Sequence, residues 1–257
     1  MGTVRDLWPL LNEVVSCYME GTNDVVRMDG DGLIRSAAGM IWMDVKLGER
    51  FVTPREGKAV EINALWYNAL RFMEECAERV GRRFEHGGLA AEVKKNFVRK
   101  YWNREGGYLY DVVGDGSRDA SLRPNQLFAV FLPFQLIEGE KAEKMLSVAM
   151  RELLTPFGIR TLAMGDPRYR GVYRGGIWER DAAYHQGTAW VWLLGPFFTA
   201  LRKVGWFPKS REWAGVFLKN LLSNYPQDAG VGAISEIFDG DEPHKPRGCI
   251  SQAWQRF

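Results

Sequence analysis

Apolar residues recur at three- and four-residue steps through most of this chain, in segments whose connections alternate between short and long. The periodicity marks amphipathic helices, each with one face for a core. Val4, Leu7, Trp8, Leu11, Val15 and Tyr18 form one such face. Leu89, Val93, Phe97 and Tyr101 form a second, and Ala142, Met145, Leu146, Ala149 and Leu153 a third. Further helices are expected over Ala59–Val80, Pro124–Leu136, His185–Val204 and Ser210–Leu222, with a last one opening near Cys249. Pro124 and Pro208 fall at expected helix starts, where a missing N–H costs nothing. Short connections follow Val80, Leu136 and Val204. Long ones run from Gly21 to Lys58, Glu105 to Arg123, Thr155 to Tyr184 and Ser223 to Gly248. Antiparallel helices joined in this way bring every long loop to one end. The expected fold is therefore all-α, a toroid of helical hairpins in which helices carry stability and loops carry function.

Two of the long connections contain a carboxylate beside large apolar residues: Ile41-Trp42-Met43-Asp44, and Ile234-Ser235-Glu236-Ile237-Phe238-Asp239. Cleavage of a glycosidic bond needs such a pair. One carboxyl donates a proton to the leaving oxygen while the other acts, ionised, on water. Taken singly, Asp44 reads as a loop cap and Glu236 as a solvated surface charge. Ten Trp residues add flat apolar faces suited to pyranose rings.

Other chemistries find little support. Lys and Arg number 34 against 32 acidic residues, too even a balance for a nucleic-acid binder driven by counterion release. No apolar run approaches the roughly 20 residues that span a bilayer. Met1 to Pro9 has no basic flank leading into an apolar stretch, so no secretory signal is read. Cys17, Cys76 and Cys249 are widely spaced, which fits a reducing cytoplasm. His86, His185 and His244 lack the spacing of a zinc site, Gly-rich Arg174-Gly175-Gly176 follows no strand, and no nucleophile elbow is present. No metal or cofactor is expected.

Longer strings surround the two acids. Trp42-Met43-Asp44 leads into the run from Val52-Thr53-Pro54-Arg55 to Asn68-Ala69-Leu70. Leu122-Arg123-Pro124-Asn125-Gln126 follows, then Arg180-Asp181-Ala182-Ala183-Tyr184-His185-Gln186-Gly187-Thr188 with Trp190. Gly232-Ala233-Ile234-Ser235-Glu236-Ile237-Phe238-Asp239-Gly240 and Pro246-Arg247-Gly248-Cys249-Ile250-Ser251-Gln252-Ala253-Trp254 close the set. In this order the strings resemble the C-terminal catalytic domain of archaeal and bacterial glycogen debranching enzymes, over nearly the whole chain.

The resemblance implies an (α/α)6 toroid and an inverting amylo-α-1,6-glucosidase, with Asp44 as general acid and Glu236 as general base. Its substrate would be glycogen or another branched α-glucan. An inverting pair stands about 6.5–9.5 Å apart, leaving room for water. Apolar neighbours would disfavour the charged form of Asp44, and Glu236 would keep polar company and water. Candidate sugar contacts are Arg55, Lys58, Glu61, Asn63, Asn125, Gln126, Arg180, Asp181, His185 and Gln186, with Trp42, Trp66 and Trp190 as stacking surfaces. The plainer role for Arg180 and Asp181 is an ion pair. About eight helices are read where the full ring has twelve. Residues 1–257 are thus expected to form a single partial domain, lacking the first helices of the ring and the end of the last, whose apolar flanks meet an upstream polypeptide or a second copy. A non-catalytic glucan-binding subunit that needs such a partner is the rival reading. A glucoamylase- or trehalase-like hydrolase is the third.

Overall fold

The computed structural model describes residues 2–23, 25–224, 233–250 and 252. Among the described residues eight α-helices run in order: α1 (Gly2–Glu20), α2 (Val60–Val80), α3 (Leu89–Tyr101), α4 (Phe128–Phe131), α5 (Gly139–Leu153), α6 (Ile177–Tyr184), α7 (Leu194–Lys203) and α8 (Phe207–Asn224). None is long and apolar enough to cross a membrane.

α2 is the centre of the core. Val60, Ala64, Tyr67, Leu70, Met73 and Ala77 form its buried face. That face packs against α1, α3 and α4. Burial of Val60, Leu70 or Met73 in this face is worth about 1.5–3 kcal/mol each. Gly81 stops α2: at φ 66° it takes the left-handed conformation, and its N–H returns to the carbonyls of Ala77 and Glu78.

The helix expected over Pro124–Leu136 is shorter. Pro124–Leu127 makes a 3-10 turn that runs into α4 and ends at Phe131. Leu132 precedes Pro133 and is extended, with ψ 155°, as the proline ring requires. Asn68 of α2 then fixes the turn, accepting from the Phe134 N–H at 2.9 Å and donating to its carbonyl at 3.0 Å. The expected helix from His185 begins only at Leu194, and α6 occupies sequence read as loop. The helix expected from Cys249 lies largely outside the described residues.

All-α is too narrow a description. Among the described residues the long connections fold into short antiparallel strands arranged in five small sheets. Ile159–Arg160, Ala189–Trp190, Ile237–Phe238 and Pro246–Arg247 pair side by side in that order. Lys58–Ala59 pairs with Val112–Val113, which pairs with Arg118–Asp119. Loops packed this closely bury backbone groups that must find partners, and strand ladders supply them. The ladders also stitch the long connections to one another, so these loops do gather together as their alternation requires.

Candidate active site

Glu236 immediately precedes the strand Ile237–Phe238, which lies between two neighbours of its sheet. Its side chain is only 2% exposed. Among the described residues three donors reach its carboxylate: the Tyr184 hydroxyl at 2.5 Å and the Gln252 amide at 3.2 Å on Oε1, and the Cys249 N–H at 2.9 Å on Oε2. Burial, then the carboxylate, push the Tyr184 phenol upward, so it remains a donor. Gly248 lies so close that a Cβ there would stand 2.5 Å from Glu236 Oε2. The carboxylate forms part of the wall of an open cavity of about 590 Å³, shared with Tyr173, Arg180, Tyr184 and Arg247. Arg247 grips Asp239 through two nitrogens, and Asp239 accepts the Tyr173 N–H at 2.8 Å, which holds the facing loop.

Asp44 follows Met43, which is fully buried, and is itself exposed. The apolar surroundings expected of Asp44 are not found, since the side chains beside it turn inward without covering it, whereas Glu236 keeps polar company at the wall of an open cavity. One helix links their loops. α6 packs against the hairpin strand Lys46–Leu47 just after Asp44, and a Cβ at Gly48 would lie 3.6 Å from the Trp178 ring. At its other end α6 supplies Tyr184 to Glu236. Eight residues of helix measure about 12 Å.

An aromatic cluster lies beneath the Asp44 loop. Trp42 donates its indole N–H to Asn125 at 2.9 Å and meets His185, Trp190 and Trp192 edge-on, with centroids 5.2–5.5 Å away. Trp190 is buried and donates to the Tyr184 carbonyl at 3.2 Å. His185 stacks on Trp190, and neither ring nitrogen has a hydrogen-bond partner among the described residues. Burial first, then the charges of Arg123 and Arg55, lower its pKa to about 3, so the ring is neutral.

Most of the remaining polar candidates form the framework below. Arg55 binds Glu61 at 2.5 and 2.7 Å and Asp111 at 2.6 and 2.9 Å, with all three side chains at most 2% exposed. Burial opposes the Arg55 charge, but the two carboxylates outweigh it and raise its pKa. They also hold its backbone at φ 42°. Asp111 accepts from Asn125 as well, at 2.9 Å. Lys58 pairs with Asp29 and Asp31. Asn63 bonds both backbone groups of Ile34 and the Tyr101 hydroxyl. Gln126 accepts the Leu109 N–H at 3.2 Å. Gln186 accepts from Arg123 at 2.7 Å and donates to the Val52 carbonyl at 3.2 Å. Arg123 also donates to the carbonyls of Thr161 and His185, tying three loops together. These groups spend their hydrogen bonds inside the protein.

Trp66 lies elsewhere. It donates to the Gly32 carbonyl and lines a separate apolar cavity with Tyr18 and Ile34. Arg180 lines the Glu236 cavity, and it forms no ion pair with Asp181 among the described residues. Sequence reasoning missed Tyr184, Asp111 and Trp192 as individual groups. Tyr184 lies within residues 180–188, and Trp192 lies just past the end of the strand Ala189–Trp190, where it meets Trp42. Asp111 had no local signal, since its partner Arg55 is 56 residues away.

The comparisons with known proteins agree on the family and the fold. Over 205 aligned residues the chain is 33% identical to the glycogen debranching enzyme of Saccharomyces cerevisiae, covering 62% of this chain and 13% of that protein. Among solved structures, neutral trehalase from Saccharomyces cerevisiae matches with a TM-score of 0.59 at 15% identity, over 77% of this chain and 36% of that one. A GH63 mannosylglycerate hydrolase from Thermus thermophilus, in complex with glucose, matches at 0.57 and 16% identity, over 77% of this chain and 45% of that one. The chain therefore spans less than half the length of each, and these structures show the fold alone. The family model for amylo-α-1,6-glucosidase matches residues 1–256, so the chain belongs to the amylo-α-1,6-glucosidase family.

Proposed function

We propose that this chain forms the later part of an (α/α)6 toroid and carries the catalytic acids of an inverting α-1,6-glucosidase, which releases glucose from the branch points of glycogen or a similar α-glucan. The observation that carries this reading is Glu236: a carboxylate buried in the wall of an open cavity, with its oxygens fixed by three donors. A general base for water must be held still yet face the substrate, and both conditions favour this residue. Asp44 is the proposed general acid. It protonates the bridging oxygen, while Glu236 takes a proton from water attacking the anomeric carbon from the opposite side. The sugar–oxygen bond breaks as the new one forms, so the configuration inverts. α6, resting on the Asp44 hairpin and holding Glu236, supports a common site for both acids.

Glu236→Gln and Asp44→Asn, assayed on a branched dextrin, should each lower turnover by about 10²–10⁴-fold with an unchanged circular-dichroism spectrum. Wild-type turnover in either variant refutes that assignment. The exposure of Asp44, together with that of Leu7, Leu10, Val14 and Tyr18 on α1, favours a second reading, in which another polypeptide segment must cover the site before it acts. Activity that appears only when such a segment is added distinguishes the two.

A further inference from the structure

A second cavity, of about 540 Å³, opens between the end of α3 and the start of α5. It is lined by Lys95, Val98, Arg99, Trp102, Arg104 and Lys141, with no acidic residue among them. That size falls within the range of small-molecule pockets. We propose that it binds a small phosphomonoester, a sugar phosphate or a mononucleotide, independently of the Glu236 site.

The treatment of charge along α3 carries the argument. Lys94 pairs with Glu138, and Lys100 pairs with Asp31. Lys95 and Arg99, on the same helix, turn to the cavity and have no acidic partner among the described residues. Neither have Arg104 and Lys141. A helix C-terminus accounts for some cationic preference in its last turn. It does not account for Arg104, which lies beyond the helix, or for Lys141, which starts another. Four like charges around one cavity repel each other, and a dianion would relieve that cost.

Two contacts preorganise the cations. The Arg99 guanidinium donates to Asn96 at 3.0 Å, which orients it without neutralising it. The Lys141 ammonium sits over the Trp102 ring, 5.6 Å from its centroid. Guanidinium forks match phosphate oxygens. Trp102 and Val98 supply apolar surface beside the cations for the sugar or base of the ligand.

Calorimetric titration with glucose 6-phosphate, AMP, glucose and inorganic sulfate, in moderate salt, tests the proposal. At least one phosphomonoester should bind about tenfold or more tighter than glucose and sulfate, and which one distinguishes a sugar phosphate from a nucleotide. Arg99→Gln combined with Lys141→Gln should abolish the difference, while Glu236→Gln retains it. Should the double variant fail to fold, acetylation footprinting of the wild-type protein decides: the ligand should protect Lys95 and Lys141 and leave Lys46 reactive. Equal binding of phosphomonoester, glucose and sulfate, or unchanged acetylation of Lys95 and Lys141, overturns it.

Discussion

His185 makes acid sensitivity a quantitative test of the packing beneath the site. Buried against Trp190 and Trp42, it keeps a neutral ring down to a pKa of about 3. In the unfolded chain the same ring titrates near 6.5. Between these values the unfolded state holds a proton that the folded state refuses. The stabilisation is therefore fully present above pH 6.5 and is lost progressively as pH falls towards 3. The slope approaches 1.36 kcal/mol per pH unit, so from pH 7 to pH 4.5 this residue alone removes about 2.5 kcal/mol of unfolding free energy. His185→Phe keeps an aromatic ring and loses the proton site. Its larger ring costs about 1–3 kcal/mol through overpacking, a penalty that does not vary with pH. Carboxylates that titrate in the same range affect wild type and variant alike and cancel in the difference. Urea unfolding at half-unit intervals over this range measures both curves. The wild type should lose stability more steeply, by about 2.5 kcal/mol over the interval. Parallel curves would mean that the imidazole is protonated, or solvated, in the folded protein, and would refute the burial argument.

Three further outcomes follow from the same contacts. Arg55→Met leaves buried Glu61 without its cation and Asp111 with only Arg123, 3.5 Å away, and urea midpoints should report a loss of about 3–5 kcal/mol. Gly248→Ala places a methyl 2.5 Å from Glu236 Oε2 on a backbone at φ 71°, so turnover should fall about tenfold or more while binding of an unreactive glucan changes little. Tyr184→Phe removes the shortest hydrogen bond that positions Glu236 Oε1, and turnover on a branched dextrin should fall about tenfold or more, with little change in thermal stability.

What the sequence revealed depended on whether the deciding interaction was local. α2 was expected over Ala59–Val80 and occupies Val60–Val80, because apolar spacing and the Gly81 stop lie within the segment itself. α3 likewise follows its own periodicity. The alternation of short and long connections foretold the gathering of the loops. It gave no sign that they would pair as strands, since each strand is two or three residues long and the pairings that join different loops, such as Trp190 with Ile237, are remote. The run from His185 was read as helix through its apolar content, yet Gly187 at φ 149° and the pairing of Ala189–Trp190 delay helix to Leu194. The framework of the site was the least legible part. Arg55, Lys58, Glu61 and Asn63 are read either as sugar contacts near the Asp44 loop or as local ion pairs and helix N-terminal polarity. They are buried because Asp111, Asp29, Asp31 and Ile34 come from elsewhere in the chain to meet them.

Proton NMR of a branched α-glucan digest, recorded before mutarotation sets in, tests the central claim most directly. Water activated by Glu236 and attacking opposite the bond that Asp44 protonates yields glucose whose first anomeric signal is β. First-formed α-glucose would show retention, and with it a nucleophile in place of a base, contradicting the mechanism proposed for this pair.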